Sequence, residues 1–169
     1  MRPGLLVIDM QQAFYDSRPA VRPFYESATR YINAAQVLFE KKKLPVIHIY
    51  HQDDEDGLIP GTAGFEFFGQ IEKTMNGYKV IKTFGNAFNK TGLLDIVKQE
   101  KLDSLILTGF CAEYCVMSTY NGANDLCLNP IVLRGALASG KSEHMRFVQD
   151  ICELISFDVL KFVLKDLPE

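Results

Sequence analysis

Short apolar runs alternate along the chain with longer segments in which apolar residues recur every three or four positions. Such runs predict buried strands, and the segments between them predict amphipathic helices. Strands that alternate with helices are typical of a parallel sheet covered on both faces, so the pattern predicts an α/β fold. The predicted strands are residues 4–9, 45–50, 78–83, 104–109 and 130–134, with 157–162 as a possible sixth.

Helical spacing is clearest in three of the intervening segments. One begins near Pro23 and ends at the basic cluster 41–43, where cations suit the negative end of a helix dipole. The others cover residues 92–102 and 142–155. The stretch 51–77 differs because it is rich in glycine and acidic residues. Loops of this length inside a compact domain are often lids or binding loops.

The composition fits one domain that spans residues 1–169. Of the 169 residues, 47% are hydrophobic and 23% are charged, which allows a full core. A net charge of −3 offers no basic surface for nucleic acid or an anionic membrane, so a small molecule is the expected partner. No apolar run approaches membrane-spanning length, and too few residues precede the first strand for a signal peptide, which favours the cytoplasm.

Four cysteines are present, and we interpret them as free thiols because no secretory signal accompanies them. Cys127 and Cys152 lie in apolar contexts and are expected to pack as small hydrophobes. Cys115 differs because it follows the run 104–109 and opens a segment that can form a helix. At such a strand-to-helix junction, unpaired N–H groups and the helix dipole favour a thiolate.

Polar residues end or follow three of the predicted strands. Asp9 ends the first, Lys82 ends the third, and Cys115 follows the fourth across a short turn. Ligands bind outside the carboxyl ends of strands in an open parallel sheet, so these side chains converge if their strands are neighbours. Taken singly, they are more often a cap, a solvated cation and a core thiol. Together they fit a nucleophile with its base and a supporting cation.

Three segments carry a resemblance to a known family. They are Leu6-Val-Ile-Asp-Met-Gln-Gln-Ala-Phe14, Ile81-Lys-Thr-Phe-Gly-Asn-Ala-Phe88 and Leu107-Thr-Gly-Phe-Cys-Ala-Glu-Tyr-Cys-Val116. In order and spacing the chain resembles the isochorismatase-like cysteine hydrolases, a family that includes nicotinamidases and other amide hydrolases. The resemblance implies a doubly wound, three-layer α/β/α fold with a mostly parallel sheet of five or six strands.

The resemblance also implies a catalytic triad of Asp9, Lys82 and Cys115, and a cis peptide between Phe110 and Cys111. Asp9 would take the thiol proton, and Cys115 would attack a carbonyl carbon. Lys82 would support the thiolate, and backbone N–H groups near Cys111 and Cys115 would stabilise the oxyanion. Isochorismatases proper cleave a vinyl ether without a cysteine nucleophile, so Cys115 favours cleavage of the C–N bond of a small carboxamide.

Four further residues near these segments are candidates for contact with the substrate. Phe14, Phe84 and Phe88 lie close in sequence to the triad and either line a pocket or pack in the core. Gln12 either donates a hydrogen bond to the substrate or caps the turn after Asp9. The sequence leaves both interpretations open for each residue.

Nicotinamidases carry a metal site with an Asp-x-His element and a further histidine in the long loop. Here the corresponding region offers His48, His51 and Asp53, and the rest of the 51–77 loop contains no histidine. These three residues bind zinc only if their side chains meet, and alternation along a strand separates His48 from His51. We therefore expect neither a metal nor another cofactor.

Cys111 and Cys115 form a Cys-x-x-x-Cys pair, which is an alternative redox or metal motif. Redox enzymes typically use a two-residue spacing, and no second pair completes a zinc site. Reversible oxidation of this pair stays a minor hypothesis.

A second alternative is a regulatory or binding protein that keeps the fold and triad without catalysis. It is motivated by the missing metal-loop pattern and by Arg134, which stands where many members of the resembled family have an acidic residue. The resemblance also implies a homo-oligomer, either a dimer or a tetramer. The exposed part of the run 65–68 is the candidate interface.

Overall fold

The structure, a computed structural model, describes residues 2–168. Within this range six strands form one sheet in which every neighbouring pair is parallel. The strands are β1 (Pro3–Ile8), β2 (Val46–His51), β3 (Tyr78–Lys82), β4 (Ser104–Gly109), β5 (Asn129–Leu137) and β6 (Leu154–Ile155). Their order across the sheet is β3-β2-β1-β4-β5-β6. This arrangement confirms the predicted α/β fold with a parallel sheet.

The two central strands, β1 and β4, are buried along their whole length. Apolar side chains point to both faces of these strands, which explains why the sequence shows continuous apolar runs rather than alternation. The chain leaves β1 toward one edge of the sheet and returns to β4 before it continues toward the other edge. Ligands bind at such a switch point, outside the carboxyl ends of the strands.

Helices cover both faces of the sheet. They are α1 (Gln12–Ser17), α2 (Arg22–Lys41), α3 (Leu93–Gln99), α4 (Met117–Asp125), α5 (Ser142–Ile151) and α6 (Phe157–Val163), with a 3₁₀ turn at Pro19–Val21 and a π-helical turn at Ala112–Val116. Residues of α2 and α6 pack in one apolar core, and residues of α3, α4 and α5 pack in the other. No helix within residues 2–168 has the length and apolar character needed to cross a bilayer.

The longest helix, α2, shows the periodicity that the sequence predicted. Pro23 lies in its first turn, where the missing N–H is not needed, and Lys41 lies in its last turn. Its buried side chains recur at intervals of three and four residues and form one stripe against the sheet. They are Tyr25, Ala28, Thr29, Ile32, Ala35, Gln36 and Phe39.

The C-terminal region differs from the prediction. Residues 157–162, predicted as a possible strand, belong to helix α6, and the sixth strand is the short pair Leu154–Ile155. The Ser156 hydroxyl accepts from the Val159 N–H (3.3 Å), so a side-chain cap starts a helix where the apolar run indicated a strand. The predicted helix 142–155 correspondingly ends at Ile151.

One local expectation about exposure is wrong. Cys127 is exposed rather than packed as a hydrophobe, because it follows the end of α4 in a left-handed turn with φ of 56°. In the long loop, Phe65 and Phe68 are buried in the core beside α2, so the exposed part of the run 65–68 is Glu66 with part of Phe67. A backbone bridge between Gln11 and Phe67 fixes this part of the loop beside β1.

Candidate active site

Asp9 follows directly after the central strand β1 and is held there by backbone contacts. Its N–H donates to the carbonyl of Ile49 on β2 (2.9 Å), and its carbonyl accepts from the Tyr25 hydroxyl on α2 (2.9 Å). Its φ of 50° lies in the left-handed region, which aspartate tolerates better than most residues. The chain turns sharply at Asp9, and the carboxylate is buried at the carboxyl edge of the sheet.

Lys82 is the last residue of β3, and no part of its side chain is exposed. The ammonium Nζ lies 2.7 Å from Asp9 Oδ2, 3.0 Å from His51 Nδ1 and 3.3 Å from Cys115 Sγ. An ammonium group has three N–H donors and no acceptor, so each donor has one partner. The structure thus brings together the three residues Asp9, Lys82 and Cys115 that sequence reasoning selected.

His51 is a fourth member of this cluster, and sequence reasoning considered it only as a metal ligand. Its Nδ1 accepts from Lys82, so the imidazole is neutral; burial and the Lys82 charge lower its pKa. Gln11 fixes its backbone, with Oε1 accepting from the His51 N–H (2.7 Å) and Nε2 donating to the His51 carbonyl (2.9 Å). His51 pairs with Lys82 in the strand register, a relation visible only once the strand order is known.

Cys115 lies in the π-helical turn that precedes α4. The Cys111 carbonyl accepts from both the Tyr114 N–H (3.1 Å) and the Val116 N–H (3.2 Å), which widens the turn. Burial raises the pKa of the Cys115 thiol to about 12; the Asp9 carboxylate adds to this rise, and Lys82 opposes it. Burial therefore acts against the thiolate that the strand-to-helix junction was expected to favour. This thiol needs a base.

Asp9 is placed to supply that base. Burial raises the pKa of its carboxyl group, and the Lys82 ammonium acts in the opposite direction. Asp9 Oδ2 accepts from Lys82, whereas Oδ1 is buried and has no hydrogen-bond partner among residues 2–168. A buried acceptor without a partner is costly, and here it leaves one carboxylate oxygen free to receive a proton.

The backbone beside the thiol has an unusual conformation. The peptide bond between Phe110 and Cys111 is cis, at the position that the family resemblance implied. Gly109 has φ of 112°, and a Cβ atom there would lie 2.1 Å from the Ile8 carbonyl oxygen, so only glycine fits. The Ala112 N–H donates to the Ala138 carbonyl (3.0 Å). The N–H groups of Cys111 and Cys115 take no part in this hydrogen bond or in the two hydrogen bonds that the Cys111 carbonyl accepts.

Glu113 is the centre of a second polar cluster that sequence reasoning missed. Its carboxylate accepts from the Cys111 thiol (2.9 Å) and the Ser139 hydroxyl (3.0 Å), and lies 2.5 Å from His144 Nδ1. Burial raises the pKa of Cys111 to about 12, and Glu113 adds to the effect. All four cysteines are free, and the Cys111 thiol is engaged with Glu113. No local motif signals this cluster, because its members come from three separate elements.

The candidate substrate contacts have different surroundings. Phe14 is buried with its ring centroid 5.0 Å from that of Phe110, whereas Phe84 is 41% exposed and Phe88 packs beside the second core. The Gln12 Nε2 donates to Asp16, and its Oε1 accepts from a loop N–H. Phe14 thus lies beside the cis peptide, and Gln12 joins α1 to the long loop.

The three residues considered as metal ligands do not share a site. His48 Nε2 lies 2.6 Å from Gln36 Oε1 on α2, and burial lowers the pKa of this imidazole to about 4. His51 faces Lys82 instead, and Asp53 accepts from the Glu55 N–H in a turn (3.0 Å). Within the described range 2–168, no group of three His, Cys, Asp or Glu side chains is arranged to hold a metal ion. The residues present therefore do not fit the metal site that nicotinamidases carry.

Comparison with known proteins places this geometry in a family. A family model described as the Isochorismatase domain matches residues 3–151. The isochorismatase family protein YrdC of Bacillus subtilis (strain 168) is 26% identical over 141 residues, which cover 82% of this chain and 74% of YrdC.

Two solved structures share the fold at low sequence identity. An isochorismatase-like hydrolase from Alkaliphilus metalliredigens has a TM-score of 0.84 and 24% identity, over 96% of this chain and 99% of that one. N-carbamoylsarcosine amidase from Thermoplasma acidophilum has a TM-score of 0.79 and 23% identity, over 92% of this chain and 95% of that one. Since the family model also spans most of the sequence, the chain belongs to the isochorismatase-like cysteine hydrolase family.

Proposed function

We propose that this protein hydrolyses the C–N bond of a small carboxamide through a thioester on Cys115. The observation that carries the proposal is the Lys82 ammonium, which contacts both the Asp9 carboxylate and the Cys115 sulfur in a buried cluster. The similar structure from Thermoplasma acidophilum is named as an amidase, which agrees with this reaction class.

In the first half-reaction the Asp9 carboxylate takes the thiol proton as Cys115 sulfur bonds to the carbonyl carbon. The N–H groups of Cys111 and Cys115 donate to the oxyanion, and each such donor contributes about 3 kcal/mol in comparable sites. The C–N bond then breaks, and protonated Asp9 gives its proton to the leaving nitrogen. Ammonia or an amine leaves, and the acyl group stays on sulfur.

Water completes the second half-reaction by the same groups. Asp9 takes one proton from a water molecule as the water oxygen bonds to the thioester carbonyl carbon. The carbon–sulfur bond breaks, the sulfur recovers a proton from Asp9, and the carboxylic acid product leaves. Lys82 keeps its proton throughout and stabilises negative charge as it moves between Asp9 and Cys115.

The high pKa of Cys115 supports a base that acts during attack rather than before it. A thiol with a pKa of about 12 costs about 7 kcal/mol to ionise against bulk solvent at pH 7. Transfer to Asp9 lowers this cost because burial raises the pKa of the carboxyl group that receives the proton. Lys82 lowers it further by contact with the sulfur.

Time-resolved mass spectrometry against a panel of small primary amides tests the proposal. We expect a mass increase equal to the acyl group on Cys115, and no turnover in Cys115→Ala. Cys127→Ala is the matched control, since it removes an exposed thiol and is expected to keep full activity. Turnover by Cys115→Ala, or an acyl adduct on another cysteine, would contradict the mechanism. Absence of both adduct and turnover would favour a binding role.

A further inference from the structure

Arg18 lies at the carboxyl edge of the sheet, just after helix α1. Its guanidinium carbon is 5.0 Å from the Phe14 ring centroid and 5.9 Å from the Phe110 ring centroid. Phe110 directly precedes Cys111, whose N–H is a proposed oxyanion donor. The Arg18 guanidinium therefore lies over two aromatic rings, one of which belongs to the residue that precedes a proposed oxyanion donor.

The Arg18 guanidinium is only partly engaged. Among residues 2–168 its hydrogen bonds are limited to one with Asp56 Oδ2 in the long loop (3.1 Å), and a guanidinium has five N–H donors. The Arg18 and Asp56 side chains are 44% and 49% exposed, and ion pairs between such groups contribute little to stability. Arg22 contrasts with this, since its guanidinium donates to two backbone carbonyls.

The charge of Arg18 also acts on the groups around Asp9. Burial and the Asp9 charge raise the pKa of Tyr25, and Arg18 lowers it. The Tyr25 hydroxyl donates to the Asp9 carbonyl, and its ring lies 5.4 Å from that of Phe110. Arg18 therefore lies close enough to Tyr25, which contacts Asp9, for its charge to act there.

We propose that Arg18 binds a carboxylate on the substrate, so that the protein acts on short amides that carry a carboxylate at the end remote from the amide. A carboxylate fits the planar fork of a guanidinium with two parallel hydrogen bonds, and the short apolar chain of such an amide packs on Phe14 and Phe110. Asp56 occupies the same guanidinium until the substrate carboxylate replaces it. The inference rests on the proposed function, because it assigns the substrate class of that reaction.

Steady-state kinetics with a matched pair of amides tests the inference. Succinamate carries a terminal carboxylate, and butanamide is its neutral counterpart of equal chain length. We expect Arg18→Gln to raise the KM for succinamate at least tenfold more than the KM for butanamide, which has no carboxylate for Arg18 to bind. Arg2→Gln is the matched control, because it removes a charge from the opposite edge of the sheet, where Arg2 pairs with Glu100.

Asp56→Asn separates recognition from a structural role of the ion pair. If Asp56 competes with the substrate, this variant lowers the KM for succinamate severalfold, the opposite of Arg18→Gln. If the pair only holds the loop, both variants change the kinetics in the same direction, and that result would overturn the inference. Equal kcat/KM for succinamate and butanamide in the wild type would overturn it too, while leaving the proposed amide hydrolysis intact.

Binding of the carboxylate can also be measured without turnover. Succinamate is titrated by calorimetry into Cys115→Ala and into the same variant with Arg18→Gln. We expect at least tenfold weaker binding in the second protein. Equal affinity, or no detectable binding in either, would overturn the inference. Failure of the proposed function is recognised separately, by the absence of acylation and turnover in the wild type.

Discussion

Replacement of Lys82 by Met should destabilise the protein in a pH-dependent way. Methionine fills a similar volume but leaves the buried Asp9 carboxylate without its counter-charge, and loss of one partner of a buried pair costs about 3–5 kcal/mol. The change is best made in a His51→Gln background. Glutamine can accept from Lys82 without titrating, so the carboxyl group of Asp9 is then the only group of the cluster that takes up the proton.

The magnitude follows from the pKa of Asp9. Burial raises this pKa and Lys82 opposes the rise, so removal of Lys82 raises it further. The folded variant then holds the Asp9 proton to a higher pH than the unfolded chain, which ionises this group near its ordinary pKa of 3.8. Each pH unit through which only the folded state keeps this proton costs about 1.4 kcal/mol, so the loss is at most about 4 kcal/mol at pH 7 and about 1.6 kcal/mol at pH 5.

The sign of the pH dependence follows from the same comparison. A folded-state pKa above the unfolded value contributes stability at low pH that is lost as the pH rises, so the variant loses stability between pH 5 and pH 7. Burial already raises the pKa of Asp9 when Lys82 is present, so part of this loss of stability occurs without the substitution. The additional loss that Lys82→Met causes between pH 5 and pH 7 is therefore at most about 3 kcal/mol.

Urea denaturation at pH 5 and pH 7 measures the effect as the difference in the free energy of unfolding between His51→Gln and His51→Gln/Lys82→Met. Adding Asp9→Asn should remove the pH dependence. Lys79→Met, at an exposed position on the same strand, should cost under about 1 kcal/mol at both pH values. An equal loss from Lys82→Met at pH 5 and pH 7 would refute the assignment of a buried, uncompensated carboxyl group.

Two further experiments test the geometry around the thiol. In urea denaturation, Gly109→Ala should lower the free energy of unfolding by about 3 kcal/mol or more, because its φ of 112° and the Ile8 carbonyl oxygen exclude a Cβ atom. Gly69→Ala, with open space around it, should lower it by less than about 1 kcal/mol. Similar losses in the two variants would contradict this interpretation. Iodoacetamide at pH 8, followed by peptide mass mapping, should label exposed Cys127 before Cys115 and buried Cys111 last; labelling of Cys111 as fast as Cys127 would contradict the burial described.

The sheet could be predicted from the sequence because its strands are buried on both faces. Strands such as β1 and β4 appear as continuous apolar runs, and their order along the chain limits the topology. The C-terminal region could not be predicted in the same way. Residues 157–162 form a short apolar run like the other predicted strands, yet the Ser156 cap and the burial of Leu160 favour a helix. A two-residue strand such as β6 has too little pattern to detect.

The meeting of Asp9, Lys82 and Cys115 could be predicted because all three follow or end parallel strands, and parallel strands end at one edge. The partners around them could not. His51 joins Lys82 through the register of two neighbouring strands, and Arg18 reaches Phe110 through tertiary packing. The high pKa of Cys115 depends on burial, which a local helix-start pattern does not contain.

The exposed segment Ile59–Gly61 lies, along the sequence, between the two pairs of residues that form the cluster around the Lys82 ammonium. Asp9 and His51 precede it in the chain, and Lys82 and Cys115 follow it. A cut in this segment would leave neither fragment with both a base and a nucleophile. Turnover by the mixed fragments would then require β2 to reassociate with β3 and β1 with β4, so the protein could serve as a split-enzyme reporter of its own sheet assembly.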